Sequence, residues 1–265
     1  MPRSGMSQPA KPKREGKRHV RAARYRLGSR LRAGLLVPSG NVVAEPEIRA
    51  MLPREVSTLV TRLALRGSSP TELMRMLDQL EAACGLLADA RVDCIVFHCT
   101  AVSTFAPELA AKIRERIQSA SGIKCFTTAD AIVEGLKRLN AKTVSLLTPY
   151  VDAIHEREAA FLKDSGFVVK GSAHLGINTN AEMARLNPEA ILEWAARSID
   201  GCANACLISC TAIKSAPVIA QLEKVSGVPV LTSNQSMAWY LLRLNGIDER
   251  RQLWPPVLDM TTREA

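Results

Sequence analysis

From residue 31 onward, short apolar runs alternate with stretches of helical periodicity. The runs predict strands at Leu31–Val37, Ser57–Leu63, Val92–Phe97, Lys124–Thr127, Thr143–Leu147, Phe167–Gly171, Ala205–Ser209 and Val228–Leu231. Several are apolar at four or five consecutive positions, the pattern of strands buried on both faces of a parallel sheet. Helix starts between them carry chemical marks. Ser69-Pro70-Thr71-Glu72 reads as a capping box with proline at the first helical position. Leu73, Met76, Leu77, Leu80, Cys84 and Leu87 continue that helix at helical spacing. Asn187-Pro188-Glu189 opens another, Pro107 and Pro217 sit near two further starts, and Gly166 and Gly246 are natural stops. This alternation predicts an α/β fold of parallel sheets covered by helices.

A repeat divides the chain. Leu35-Leu36-Val37-Pro38 returns as Leu146-Leu147-Thr148-Pro149, and Cys99-Thr100-Ala101-Val102 as Cys210-Thr211-Ala212-Ile213, both displaced by 111 residues. A third block follows in order at a displacement of 105. It pairs Ser121-Gly122-Ile123 with Ser226-Gly227-Val228, then Leu136-x-Arg138-Leu139-Asn140 with Leu241-x-Arg243-Leu244-Asn245. Two blocks sharing one offset and an ordered third predict two homologous halves of four strands each. A pseudo-twofold between them would face equivalent strand-end loops across a cleft, where open α/β sheets bind ligands.

Composition fits this picture. The 265 residues are 47% hydrophobic and 23% charged, enough for one large or two ordinary α/β domains. No apolar run reaches the roughly 18 residues of a membrane span, and the N-terminus lacks an apolar signal core, so neither a membrane protein nor export is expected. The net charge of +9 is local: residues 1–30 hold ten Lys/Arg and one acid, Glu15, whereas residues 31–265 hold 25 of each sign. Residues 1–30 are expected to form a disordered basic tail. A polyanion-binding arm, with nucleic acid as partner, and an Arg-rich targeting segment are the alternatives. The neutral body offers no electrostatic case for nucleic acid.

Seven cysteines and no export signal point to free thiols in a reducing, cytoplasmic setting. No Cys-x-x-Cys pair or zinc-type histidine spacing occurs, so no metal site is expected. Cys99 and Cys210 differ from the other five by duplication and by following apolar strands. Clustered backbone N–H groups in strand-to-helix loops can lower a thiol pKa. Two thiols facing one another would flank a substrate carbon. That suits racemisation, and it equally suits addition to an alkene with one thiolate as nucleophile and the other thiol as proton donor. Asn41 in Pro38-Ser39-Gly40-Asn41 and Tyr150 in Thr148-Pro149-Tyr150 occupy equivalent loops and can hold a carboxylate.

Five motifs in order carry a family resemblance: Pro38-Ser39-Gly40-Asn41, Cys99-Thr100, Thr148-Pro149-Tyr150-Val151-Asp152, Leu175-Gly176-Ile177-x-x-Asn180 and Ser209-Cys210-Thr211. Across residues 31–250 the chain resembles the maleate cis–trans isomerases of the aspartate/glutamate racemase superfamily, which also holds arylmalonate decarboxylase. The resemblance implies two Rossmann-like halves, each a four-stranded parallel sheet flanked by helices, with the active site between them. It places 31–126 with 233–258 in the first half and 127–232 in the second. It implies no cofactor or metal, a homodimer, and a small dicarboxylate substrate. Cys99 would be the nucleophile and Cys210 the acid/base partner. Asn41, Tyr150 and Asn180, with the N–H groups at Thr100, Ala101, Thr211 and Ala212, would bind the carboxylates.

Departures discriminate among relatives. Amino-acid racemases of the superfamily carry an acidic residue after the second Cys-Thr, whereas Ala212 follows here, which disfavours an ammonium substrate. Arylmalonate decarboxylase uses only the second-half cysteine, whereas this chain has both. Gly40 and Val42-Val43 stand where maleate isomerases have hydroxyl residues. The expected activity is cofactor-independent maleate-to-fumarate isomerisation. A racemase, an arylmalonate-type decarboxylase and a catalytically silent carboxylate-binding module are the alternatives.

Overall fold

The computed structural model describes Gly28 and residues 30–247, except positions 68 and 107. Most of the expected basic tail, the 248–258 portion assigned to the first half, and Pro107 therefore lie outside the described residues. Eight strands form: β1 Leu31–Pro38, β2 Val56–Leu63, β3 Cys94–Phe97, β4 Cys125–Thr127, β5 Thr143–Tyr150, β6 Val168–Ile177, β7 Ala205–Ile208 and β8 Val230–Thr232. They make two four-stranded, wholly parallel sheets, ordered β2-β1-β3-β4 and β6-β5-β7-β8. The same order recurs in each half, as the sequence repeat predicts. The continuously apolar runs are the inner strands: β3 and β7 are buried at every residue.

Two elements depart from their sequence signals. β6 runs to Ile177, six residues beyond the expected end at Gly171. It is an edge strand whose residues alternate exposed and half-buried, so Lys170, Ser172 and His174 dilute the apolar signal. The single helix expected from Pro70 to Leu87 is three pieces: Pro70–Arg75, a 3-10 turn at Met76–Gln79, and Leu80–Asp89. Its start is as expected, with the Ser69 hydroxyl accepting from the Glu72 N–H. Met76, Leu77 and Leu80 are all buried, and a tighter turn brings residues three apart onto one line toward the core.

The chain crosses between halves twice. β4 of the first sheet leads into helix Thr128–Arg138, whose Ile132 and Leu136 pack with Val144, Leu146 and Leu207 of the second sheet. β8 of the second sheet leads into helix Ser233–Leu244, whose Met237, Trp239 and Leu241 pack with Leu31, Ala33 and Leu35 of the first. The two helices begin alike, in capping boxes of Thr127 with Asp130 and Thr232 with Gln235. At Gly135 a Cβ would come within 3.0 Å of Leu231, so the first crossing helix lies tight on β8.

The third repeated block is a helix stop built twice. Gly122 and Gly227 both take φ +68° after helices Leu109–Ser121 and Ile219–Ser226. Ser121 and Ser226 each donate to the carbonyl four residues back at 2.7 Å, and each accepts from the amide two residues on at 3.2 Å.

A third core cluster spans both sheets. It joins Leu36, Phe97 and Cys99 to Leu147, Tyr150, Ile208 and Cys210, at the carboxyl ends of β1, β3, β5 and β7.

Candidate active site

The strand ends deliver the site. Cys99 follows β3 and Cys210 follows β7, both at positions the parallel register sets beside the ends of β1 and β5. Both thiols line one small cavity of about 30 Å³, with Ala101, Tyr150, Asn180, Thr211 and Met183 among its walls. A strap after β2, Leu65-Arg66-Gly67, lines it from outside. The cavity holds about one water.

Six of the nine sequence-predicted residues are brought together there: Cys99, Ala101, Tyr150, Asn180, Cys210 and Thr211. Asn41, Thr100 and Ala212 stand behind the wall. The Asn41 side chain is spent within the protein. Its Oδ1 accepts from Val43 and Ala44 N–H at 2.9 Å, and its Nδ2 donates to the Thr211 carbonyl at 3.1 Å and hydroxyl at 3.0 Å. Asn41 thereby ties the first loop of one half to the thiol loop of the other. Thr100 donates its hydroxyl to Ser233 at 3.0 Å, and the Ala212 N–H donates to the Cys210 sulfur at 3.2 Å.

The thiols are hard to ionise. Burial pushes Cys99 up to about 12, against the pull of the Val102 and Ala101 N–H groups, which hydrogen-bond its sulfur. Burial likewise pushes Cys210 up to about 12, against hydrogen bonds from Tyr150 and the Ala212 N–H. The N–H clusters expected from the sequence are present, but desolvation outweighs them. Each thiol also disfavours a second negative charge nearby, Cys99 raising Cys210. Both thiols are therefore protonated at rest, and a thiolate at Cys99 keeps the proton on Cys210. Tyr150 is held above its ordinary value by burial first and the Cys210 charge second, so its phenol stays a donor.

Three neighbours carried no signal in the sequence. Met183 brings its sulfur to 3.7 Å from that of Cys210. His98 is fully buried, and burial lowers it to about 4, so the ring is neutral. Its Nδ1 meets the Thr128 hydroxyl at 3.0 Å and its Nε2 the Asn234 Oδ1 at 2.8 Å, bracing Cys99 against the starts of both crossing helices. Asn234 in turn donates to the half-buried Glu47 at 2.7 Å. Glu158, buried behind Cys210, bonds the Ser209 hydroxyl. Only the pairing of residues distant in sequence reveals these roles.

Among the described residues, no group of three or more His, Cys, Asp or Glu is placed to hold a metal ion, and no helix is long and apolar enough to cross a membrane. All seven cysteines are unpaired.

The geometry matches known proteins. The chain is 34% identical to a maleate isomerase of Nocardia farcinica over 80% of this chain and 89% of that protein. It is 30% identical to the maleate isomerase of Alcaligenes faecalis over 83% and 92% respectively. Its fold superposes with a TM-score of 0.81 and 28% identity on the maleate cis–trans isomerase of Nocardia farcinica, solved as a cysteine-to-serine mutant with a covalently bound succinylcysteine intermediate, covering 86% of this chain and 98% of that one. A family model described as arylmalonate decarboxylase matches residues 33–254. The chain thus belongs to the arylmalonate decarboxylase family, within the branch of the aspartate/glutamate racemase superfamily that includes the maleate isomerases.

Proposed function

We propose that this isomerase-type enzyme converts maleate to fumarate through two cysteines and no cofactor. The observation that carries the reading is that one thiol from each half opens on the same cavity. The Cys99 thiolate adds to one alkene carbon of maleate, forming a C–S bond, and the electron pair moves onto the neighbouring carbon. The Cys210 thiol gives that carbon its proton. The succinyl thioether now has a single central C–C bond and rotates. Cys210 takes back a proton, the alkene re-forms, and the C–S bond breaks to return the Cys99 thiolate and release fumarate. Both thiols are protonated at rest, so Cys99 releases its proton to solvent to become the nucleophile, while Cys210 keeps the proton it donates.

Tyr150 and Asn180 orient the carboxylates, with the N–H groups around Ala101 and Thr211 receiving the charge that develops on the carboxylate beside the carbanion. Asn41, Thr100 and Ala212 act one layer back, holding the two thiol loops in register. A four-carbon diacid is larger than the cavity of about 30 Å³, so it reaches out to the rim at Leu65-Arg66-Gly67. The reading includes a homodimer, as the resemblance implies, each chain being divided into the halves 31–126 with 233–258 and 127–232, and a cytoplasmic setting, as the free thiols suggest.

Incubating the protein with maleate and following the alkene protons by NMR tests the activity. Fumarate is expected, and Cys99→Ala should abolish it. No turnover at high enzyme concentration excludes maleate. Carbon dioxide release from an arylmalonate would instead favour the decarboxylase for which the family model is named.

A further inference from the structure

The cavity walls are almost without charge. Among the described residues that line it, Arg66 is the only charged one, and no Asp or Glu lines it. The interior donors are Tyr150, Asn180 and backbone N–H groups, which can satisfy a carboxylate by hydrogen bonds but bring no positive charge. A dicarboxylate brings two negative charges to a site where even one thiolate is opposed by burial. A second carboxylate therefore requires a counter-charge from elsewhere.

Arg66 sits on a loop anchored at the rim of the cavity. Leu65 before it is tied to the loop after β1, its N–H donating to the Ser39 hydroxyl at 3.1 Å. Gly67 after it lies against the Glu72 carboxylate, where a Cβ would meet Oε2 at 2.5 Å, so the chain runs close beside that side chain. Glu72 itself is held by the Ser69 hydroxyl at 2.9 Å. Arg62, near the end of β2, is spent, donating to the Asn41 carbonyl at 2.7 Å and pairing with Glu45 at 3.2 Å. Among the described residues, Arg66 makes no such pair. Arg66 is exposed while it lines the cavity, which places it at the rim.

We infer that Arg66 is the specificity-determining residue of this site: its guanidinium pairs with the substrate carboxylate that the interior donors leave at the rim, so the site selects dianions over monoanions. This rests on the dicarboxylate reading above and deepens it. A planar guanidinium meets a carboxylate through two parallel N–H bonds, which a lysine cannot reproduce.

The test compares binding of succinate and its monoamide, which differ by one charge, to the wild-type protein, Arg66→Gln and Arg66→Lys by titration calorimetry. The wild type should prefer the diacid by about tenfold at low salt, the size of a charge-assisted hydrogen bond at a partly open site. That preference should shrink with added salt. Arg66→Gln should bind both ligands about equally, and Arg66→Lys should keep part of the preference. With maleate, Arg66→Gln should raise KM and leave kcat nearly unchanged, the mark of binding lost equally from ground and transition states. An Arg66→Gln preference equal to that of the wild type overturns the inference, as does a wild type that binds neither ligand or both alike. Loss of the preference in a protein that forms no fumarate from maleate contradicts the isomerase reading alone.

Discussion

Cys99 and Cys210 sit where desolvation opposes the ionisation their chemistry needs, and nearby charges tip that balance. Glu158 is the nearest such control. It is 1% exposed, one of its oxygens bonds Ser209, and the other has no hydrogen-bond partner. Burial raises it to about 8 from an ordinary 4.5, against the pull of Ser209. It is thus a neutral acid at pH 7, and when ionised it raises both Cys210 and Tyr150. Alkalinity should favour thiolate formation until Glu158 ionises, so kcat/KM for maleate should flatten or fall above about pH 8. Glu158→Gln should keep rising through that range; an unchanged profile rules Glu158 out as the cause. Stability follows the same group. Its folded value lies above its unfolded one, so the folded state binds the extra proton. The stabilisation is complete below about 4.5 and is lost as pH rises through about 8. Glu158→Gln should accordingly lose less thermal stability than the wild type between pH 5 and 8. At this scale the sequence singles out Cys99 and Cys210 by their duplication. Asn41 reads as a ligand because its loop position is visible, whereas its bonds to Thr211, 170 positions away, are not. Arg66 and Glu158 sit in no repeated block, and only the fold brings them to the thiols.

At the scale of elements, the twin helix stops are a controlled experiment. A Cβ on Gly122 or Gly227 would meet nothing within 4 Å, so alanine at either position strains only the left-handed backbone. Each substitution should lower stability by about 1 kcal/mol, and by similar amounts, since the two motifs share their bonds. Gly85 also has open space but lies in helix Leu80–Asp89 without a positive φ, so Gly85→Ala should raise stability by about 0.5–1 kcal/mol. Urea denaturation resolves all three signs, and equal loss at Gly85 would contradict the backbone argument. Helix caps are legible because they depend on local residue types: Ser69 and Asn187 both cap, through Glu72 and Ala190 N–H groups, whereas the end of β6 is not. The break at Met76–Gln79 is not legible either, because packing of buried neighbours sets it.

For the whole molecule, the exchanged helices make the halves interdependent. Helix Thr128–Arg138 completes the second core and Ser233–Leu244 the first, so neither sheet keeps its cover if the other half unfolds. Heating should give a single cooperative transition seen alike by Trp fluorescence and circular dichroism; two separated transitions would show that the halves fold alone. The repeat reveals two like halves, while the reach of each helix into the other half depends on contacts no local pattern encodes. The same coupling brings one thiol from each half to one cavity, on which the account turns. Its most direct test is to incubate Cys210→Ser with maleate and map the protein by peptide mass spectrometry. With the partner that takes the proton back removed and the nucleophile intact, water supplies the carbon's proton and the thioether cannot collapse, so the account predicts a mass gain of one maleic acid on the peptide that contains Cys99. An unmodified Cys99, or the same gain on any other cysteine, would contradict it.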